Sequence, residues 1–351
     1  MDASKCVYID VPATNGMENA PKIILQAHAD MVEKTIDPSI NMKTTGIDLV
    51  MDDNGAIHSK DNKTTIGSDD GEGIVTALAI AKSDKIKHGP LRMIFTYDEE
   101  DGCEGAKNLT NEALDAPYLI NIDGNFVGQV FCESGGSQKA TLGKSFPTQA
   151  MQNATEFTIE INGLEGGHSA LDIEKKRANA NIVCRDLLTK MINENIEFNI
   201  VSFVGGTSYS SICDSANLVI NVSKNDSEKT KSIINNTFNE AKSKYSEDKN
   251  PNYTFSEKDA LQNGVAYNDC KTFINSLNKF QYGVNKWSEK FEGLVETSSN
   301  IPVVKVQNGN IEYTYSVRSS VNEDMHSGMD FASQVAKEFG FNCELSEFIN
   351  A

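Results

Sequence analysis

Positive charge is scarce in this 351-residue sequence. Lysine and arginine number 32 against 50 aspartates and glutamates, for a formal net charge of −18. A surface with that balance repels phosphates, which argues against nucleic acid or anionic membrane as partners. Long apolar runs are lacking too. No stretch approaches the roughly 20 residues that a bilayer-spanning helix needs. The N-terminal MDASKCVYIDVPATNG has no apolar signal core. There is no CxxC pair, and the seven cysteines, at 6, 103, 132, 184, 213, 270 and 343, are odd in number and scattered. That usage fits reduced thiols, and the expected compartment is the cytoplasm. No internal repeat, low-complexity tract or coiled coil is visible.

What remains is an ordinary globular composition, 39% hydrophobic and 23% charged, in a chain long enough for two domains with two cores. Residues 6–11 read as a strand followed by a Pro/Gly/Asn turn. The apolar run from Ile23 then delivers His28 and, two residues on, Asp30. Residues i and i+2 of a strand share a face. The pair therefore suits a metal-bound imidazole steadied by a carboxylate, and equally a solvent-facing pair at a strand end. Residues 33–65 are polar with short β-like pieces.

Ile66-Gly67-Ser68-Asp69-Asp70-Gly71-Glu72-Gly73 leads into an apolar helix over 74–81 with almost no polar face, expected to be buried. The two aspartates suit a helix N-terminus on their own account. Residues 91–97 form a second strand that ends in Asp98-Glu99-Glu100-Asp101. Four successive acids repel one another, so either a solvated turn or a cation must accommodate them. A helix over 104–114 returns the chain to a third strand, 118–122, ending at Asp123. Three apolar strands thus each end in a metal-capable side chain, and open α/β sheets bind ligands at the carboxyl ends of their strands.

Near Gly135-Gly136 the character changes. The pattern predicts strands at 157–161, 198–204, 218–222, 302–306 and 311–317. Helices are expected at 173–192, 227–245 and 322–339, with a mixed region between 246 and 301. This is a second, α+β domain.

A pair of Zn²⁺ ions asks for nitrogen and oxygen ligands, a shared carboxylate, and a further carboxylate to take a proton from water. His28, Asp69, Glu99, Glu100 and Asp123 supply those types. The segments QAHADMV (26–32), TTIGSDDGEGI (64–74), TYDEEDGCEGA (96–106), LINIDG (119–124) and GLEGGHSALDIEKKRANA (163–180) carry a resemblance. In order, they resemble the zinc dipeptidases of the aminoacylase/carboxypeptidase metallopeptidase superfamily, in particular its Xaa-His, or cytosolic non-specific, dipeptidases.

The resemblance implies an α/β fold, with a mostly parallel sheet, flanking helices and an inserted α+β lid domain. The boundaries it suggests are a catalytic domain at 1–136, a lid at 137–340, and the start of a return to the catalytic domain at 341–351. By motif, His28 resembles the ligand of one metal, Asp30 its orienting residue, and Asp69 the bridging carboxylate, with Asp70 where a cis peptide is often found. Glu99 resembles the general base and Glu100 a ligand of the second metal, while Asp123 completes the His28 site. His168, by spacing a turn histidine, resembles the residue that steadies the oxyanion, often in a partner subunit's site. A homodimer through the lid is therefore implied. Arg318, otherwise an exposed strand-end charge, resembles the arginine that pairs with the substrate carboxylate. His58, His88 and His326 carry no such role.

Three departures stand out. The resemblance implies further catalytic-domain residues at both ends, including a histidine for the second metal site. Ser210 stands where relatives have a substrate-holding Asn, and Gly124 and Asn125 replace a hydroxyl residue and an acid. The expected activity is metal-dependent hydrolysis of unblocked dipeptides, with Zn²⁺ (or Mn²⁺ or Co²⁺) as cofactor. The alternatives are a non-catalytic metal- or peptide-binding relative and an N-acyl amino-acid hydrolase.

Overall fold

The structure is a computed structural model that describes residues 4–124, 128–130 and 134–351. Asn125 and Cys132 lie outside them. The chain divides into two compact units, Met1–Val130 and Phe131–Ala351.

The first unit is built on a four-stranded sheet. Its elements are β1 (Val7–Val11), β2 (Ile23–His28), the small hairpin β3 (Leu49–Met51) and β4 (Ile57–Ser59), α1 (Ser68–Lys82), β5 (Leu91–Thr96), α2 (Glu104–Lys107) and β6 (Tyr118–Asn121). The sheet order is β1-β5-β2-β6, with β5, β2 and β6 parallel and β1 antiparallel on the outside. Strand alternation explains its two faces. Leu25, Ala27, Leu91, Met93 and Phe95 pack with Ala77 of α1, while Ile24 and Ile94 point the other way to Cys6.

Two expectations fail here for physical reasons. The helix over 74–81 is not buried all round: only Asp70, Gly73 and Ala77 of α1 are buried, and Val75 is 65% exposed, because one face alone meets the sheet. The helix over 104–114 is a single turn. The Asn108 amide donates back to the Glu104 carbonyl, and the Thr110 hydroxyl accepts from the Ala113 amide, so side chains replace the helical ladder.

The second unit holds β7 (Gly136–Ser145), β8 (Thr148–Gln149), β9 (Ala154–Asn162), α3 (Ala180–Asn193), β10 (Phe198–Gly205), β11 (Ala216–Ser223), α4 (Ser227–Lys244), β12 (Asn252–Asp259) and β13 (Gly264–Val265). It continues with α5 (Tyr267–Leu277), β14 (Gly283–Trp287), β15 (Val295–Asn300), β16 (Val304–Gln307), β17 (Asn310–Ser319), α6 (Asn322–Phe339) and β18 (Asn342–Leu345). All described pairings are antiparallel. β17 runs against β7 along its whole length, and against β16 and then β15 on its other edge. Helices and sheet share one large core, to which β17 contributes Tyr313, Tyr315 and Val317. By alternation, Ser316 and Arg318 stand on the opposite face.

Helix α3 starts at Ala180, later than 173, because the Asn179 side chain caps it by accepting from the amides of Asn181 and Ile182. Residues 342–345 pair with β7 as β18. Among the described residues no helix is long and apolar enough to cross a membrane.

Candidate metal centre

His28 is the last residue of β2 and is 1% exposed. Its Nε2 lies 2.8 Å from Asp69 Oδ1 and 3.8 Å from Glu99 Oε2. Its Nδ1 lies 3.0 Å from the main-chain carbonyl oxygen of Asp30, and 3.5 Å from that residue's Oδ1. Asp30 therefore does touch His28, but not as two residues on one strand face. β2 has ended at His28, and the ring meets the Asp30 carbonyl.

The Asp30 carboxylate has a further task. Its Oδ1 accepts from the Glu99 amide at 3.0 Å and its Oδ2 from the Glu100 amide at 3.1 Å. Burial opposes ionisation there, yet these amides hold the carboxyl below its ordinary value. Asp30 thus pins the acidic turn that follows β5 against the end of β2.

Asp69 and Asp70 open α1, and the peptide between them is cis. Sequence reasoning gave Asp70 no contact of its own. It is 4% exposed, accepting from the His28 amide at 3.1 Å and the Gly73 amide at 3.0 Å, and so ties helix entry to strand end. Gly73 is glycine for a steric reason: a Cβ there would run into both Asp70 carboxylate oxygens. The signal was an aspartate pair three residues before a glycine, which is legible only once the carboxylate's position is known.

Donor atoms converge in two overlapping triads, His28–Asp69–Glu100 and His28–Glu99–Asp123, with the atoms of each within 4.8 Å of one another. All the acids expected at the centre are thus gathered around one imidazole. Burial and then neighbouring carboxylates raise Glu99, Glu100 and Asp123 above their ordinary values; for Asp123 the neighbour is Asp69. Burial pushes His28 down, but Asp69, Glu99, Asp123 and Asp30 together push it up on balance.

Both His28 nitrogens face oxygen acceptors, which a metal-free ring satisfies only as imidazolium. A cation at Nε2 would satisfy the same oxygens and relieve the repulsion among the acids. The donor set, one imidazole and four carboxylates, suits a divalent ion such as zinc.

In the second unit, His168, Ser210 and Arg318 belong to one cluster. His168 forms an isolated bridge with Ser211, and its amide donates to Asp172 Oδ2 at 2.8 Å. Ser169, 2% exposed, donates its amide to the Ser210 carbonyl at 2.7 Å and accepts on Oγ from Arg318 Nε at 3.1 Å. Burial first, and then the Arg318 charge, hold His168 below its ordinary value. Gly167, at φ +122°, has no room for a Cβ beside Asp172 and Arg177.

The other histidines are structural. His58 lies in β4 against the Ser59 carbonyl at 3.0 Å, and His88 faces the Gly89 carbonyl at 2.7 Å. His326 stacks on Phe348 with centroids 4.3 Å apart.

Comparison with known proteins bears on this arrangement. The chain is 32% identical over 342 residues to the cytosol non-specific dipeptidase of Escherichia coli (strain K12), covering 95% of this chain and 68% of that protein. A shorter match, 44% identical over 77 residues, covers 21% of this chain and 19% of peptidase T from the same organism. Among solved structures, the aminoacylhistidine dipeptidase of Vibrio alginolyticus superposes with a TM-score of 0.75 at 28% identity, covering 99% of this chain and 71% of that one. Residues 24–348 match peptidase family M20/M25/M40, and the chain belongs to that family.

Proposed function

We propose that this protein is a metal-dependent dipeptidase, hydrolysing the peptide bond of unblocked dipeptides with Glu99 as general base. The carrying observation is the placement of Glu99. Its carboxylate lies within reach of His28 and Asp123, on a turn whose amides are fixed by Asp30. Burial, the largest cause, raises its carboxyl above the ordinary value, which makes it a better proton acceptor than a free carboxylate.

His28, Asp69, Glu100 and Asp123 would hold the ion, with Zn²⁺ the expected one and Mn²⁺ or Co²⁺ as substitutes. When bound, the ion supplies Lewis acidity that makes water nucleophilic and polarises the scissile carbonyl. Glu99 takes a proton from the attacking water and passes it to the leaving amine. His168, kept neutral, is assigned to the developing oxyanion as a hydrogen-bond donor. Arg318, anchored by Ser169, is assigned to the substrate's free carboxylate, with Ser210 beside it. The first unit is then the catalytic domain and the second a lid through which two copies would pair. The cytoplasm is the proposed compartment, on the scattered thiols and the named relative.

The test is a panel of free dipeptides, Xaa-His among them, and N-acetyl amino acids, assayed with each of the three ions. Hydrolysis of the free dipeptides, lost in a Glu99→Gln variant that still binds metal, supports the reading. An inert chain with all three ions, or a preference for N-acetyl substrates, would sink it.

A further inference from the structure

The second unit carries a pair of cations without acids, which is unexpected in a chain with so large an acidic excess. On β17, Ser316 lies opposite Lys139 of β7 and Arg318 lies opposite Ser137. Directly opposed residues of an antiparallel pair point to the same face, so Lys139 and Arg318 are diagonal neighbours there, roughly 7–8 Å apart at their Cα atoms. Lys139 Nζ sits 3.5 Å from the centroid of the Tyr209 ring. Tyr209 is followed by Ser210, whose carbonyl accepts from the Ser169 amide, and the Ser169 hydroxyl holds Arg318.

Around these cations the floor is hydroxyl-rich. Ser298 lies opposite Arg318 on β15, Ser316 lies beside it, and both are buried. Among the described residues no carboxylate pairs with Lys139 or Arg318, and burial depresses both. Two partly buried like charges repel, and each resists desolvation, so the arrangement is best satisfied by an anion from outside. Tyr209 supplies an apolar wall and a π-face that hold the lysine in place when no anion is present.

We propose that Lys139 is a second contact, with Arg318, for the C-terminal carboxylate of the dipeptide, making the site specific for a free carboxylate over an uncharged terminus. Arg318 offers a planar fork and Lys139 a point charge from the neighbouring strand, so the carboxylate's two oxygens are held from two directions. The Ser210 hydroxyl is already engaged with Ser208 Oγ at 2.9 Å and is the weaker candidate for that second contact. The inference rests on the dipeptidase reading for its ligand, but binding and turnover can be separated.

The experiment measures binding of Ala-Ala and of its C-terminal amide to the EDTA-treated full chain by calorimetry, alongside KM and kcat of the zinc-loaded chain. Wild type should bind the acid more tightly than the amide. Lys139→Met should weaken Ala-Ala about tenfold, the loss expected of one charge-assisted contact, and raise KM similarly while leaving amide binding and kcat unchanged. Lys139→Arg should restore most of that loss.

Equal binding of acid and amide by wild type overturns the proposal. So does unchanged Ala-Ala binding in Lys139→Met, or a parallel loss for acid and amide, which would mark a packing role with Tyr209. Hydrolysis with a KM indifferent to Lys139 rejects this inference and keeps the dipeptidase. Lys139-dependent binding of the acid without hydrolysis does the reverse.

Discussion

Asp30→Asn isolates the tie between β2 and the acidic turn. The substitution keeps size and shape, but it removes the charge and turns one acceptor into an NH₂. In the native protein the two carboxylate oxygens accept from the Glu99 and Glu100 amides at 3.0 and 3.1 Å. An asparagine can accept only one of these and must point a donor at the other. Hydrogen bonds to a charged acceptor are worth about 1.5–3 kcal/mol when removed. Asp30 is partly exposed, its side chain 23% accessible, so water recovers part of that loss. A net cost near 2 kcal/mol follows, falling on the local order of Glu99 and Glu100 rather than on the whole fold.

Expressed in zinc affinity, 2 kcal/mol is about thirtyfold, within the ~10–100-fold range of lost outer-shell partners. The assay is competition for Zn²⁺ against a chromophoric chelator, with circular dichroism as the control for folding. His28 itself should keep its orientation, because Nδ1 is held by a main-chain carbonyl that the substitution leaves in place. Its ring ¹⁵N shifts in the zinc-bound variant should therefore match wild type. An affinity within about twofold of wild type would refute the assignment, since a tie that costs nothing to cut does not organise the turn.

Both donor triads draw on His28, and one Nε2 can serve one ion. Mass spectrometric metal analysis of the purified chain should find one tightly held Zn²⁺, abolished by His28→Ala, whereas two would mean that the carboxylates alone retain an ion. Asp70→Ala leaves the buried His28 and Gly73 amides without their acceptor and should cost about 2–3 kcal/mol in urea unfolding; an unchanged midpoint would rule out the strand–helix tie. His168 should titrate below its ordinary value by NMR and move up in Arg318→Met, because the arginine's charge is one of the two causes holding it down. With the folded pKa below the unfolded one, its contribution to stability is complete above the unfolded pKa of about 6.5 and is lost as pH falls through the folded value. A downward move in the variant would contradict that geometry.

The strands of the first unit were legible because their apolar runs have strand length and stop at acids. The same reading misled at 104–114 and 173–180, where polar side chains outbid the helical ladder. Asp248, distant in sequence, accepts from the amides of Glu165 and Ala178, and Asp172 binds Lys175 at 2.5 Å and Arg177 at 3.3 Å nearby, so side chains hold the residues before Asn179 as loop. β15 escaped notice in the mixed region for a related reason. Its buried residues are Thr297, Ser298, Ser299 and Asn300, polar throughout, and no apolar alternation marks them.

At the candidate centre, residue types were readable but their division of labour was not. Strand periodicity paired Asp30 with His28 because they are two positions apart. The contact that defines the Asp30 carboxylate, however, spans about seventy positions, to Glu99 and Glu100. Spacing rules see only neighbours along the chain. Asp30 and Asp70 turn their carboxylates to backbone amides and give no donor atom to either triad, while Asp69, Glu99, Glu100 and Asp123 converge on His28. The carboxylates of Asp30 and Asp70 fix the frame, and the converging ones, with Glu99, Glu100 and Asp123 pushed up by burial and by their acidic neighbours, create the demand for a cation. A sequence that merely clustered acids at strand ends would have the second feature without the first, and would relax its turn into solvent instead of holding it open for an ion.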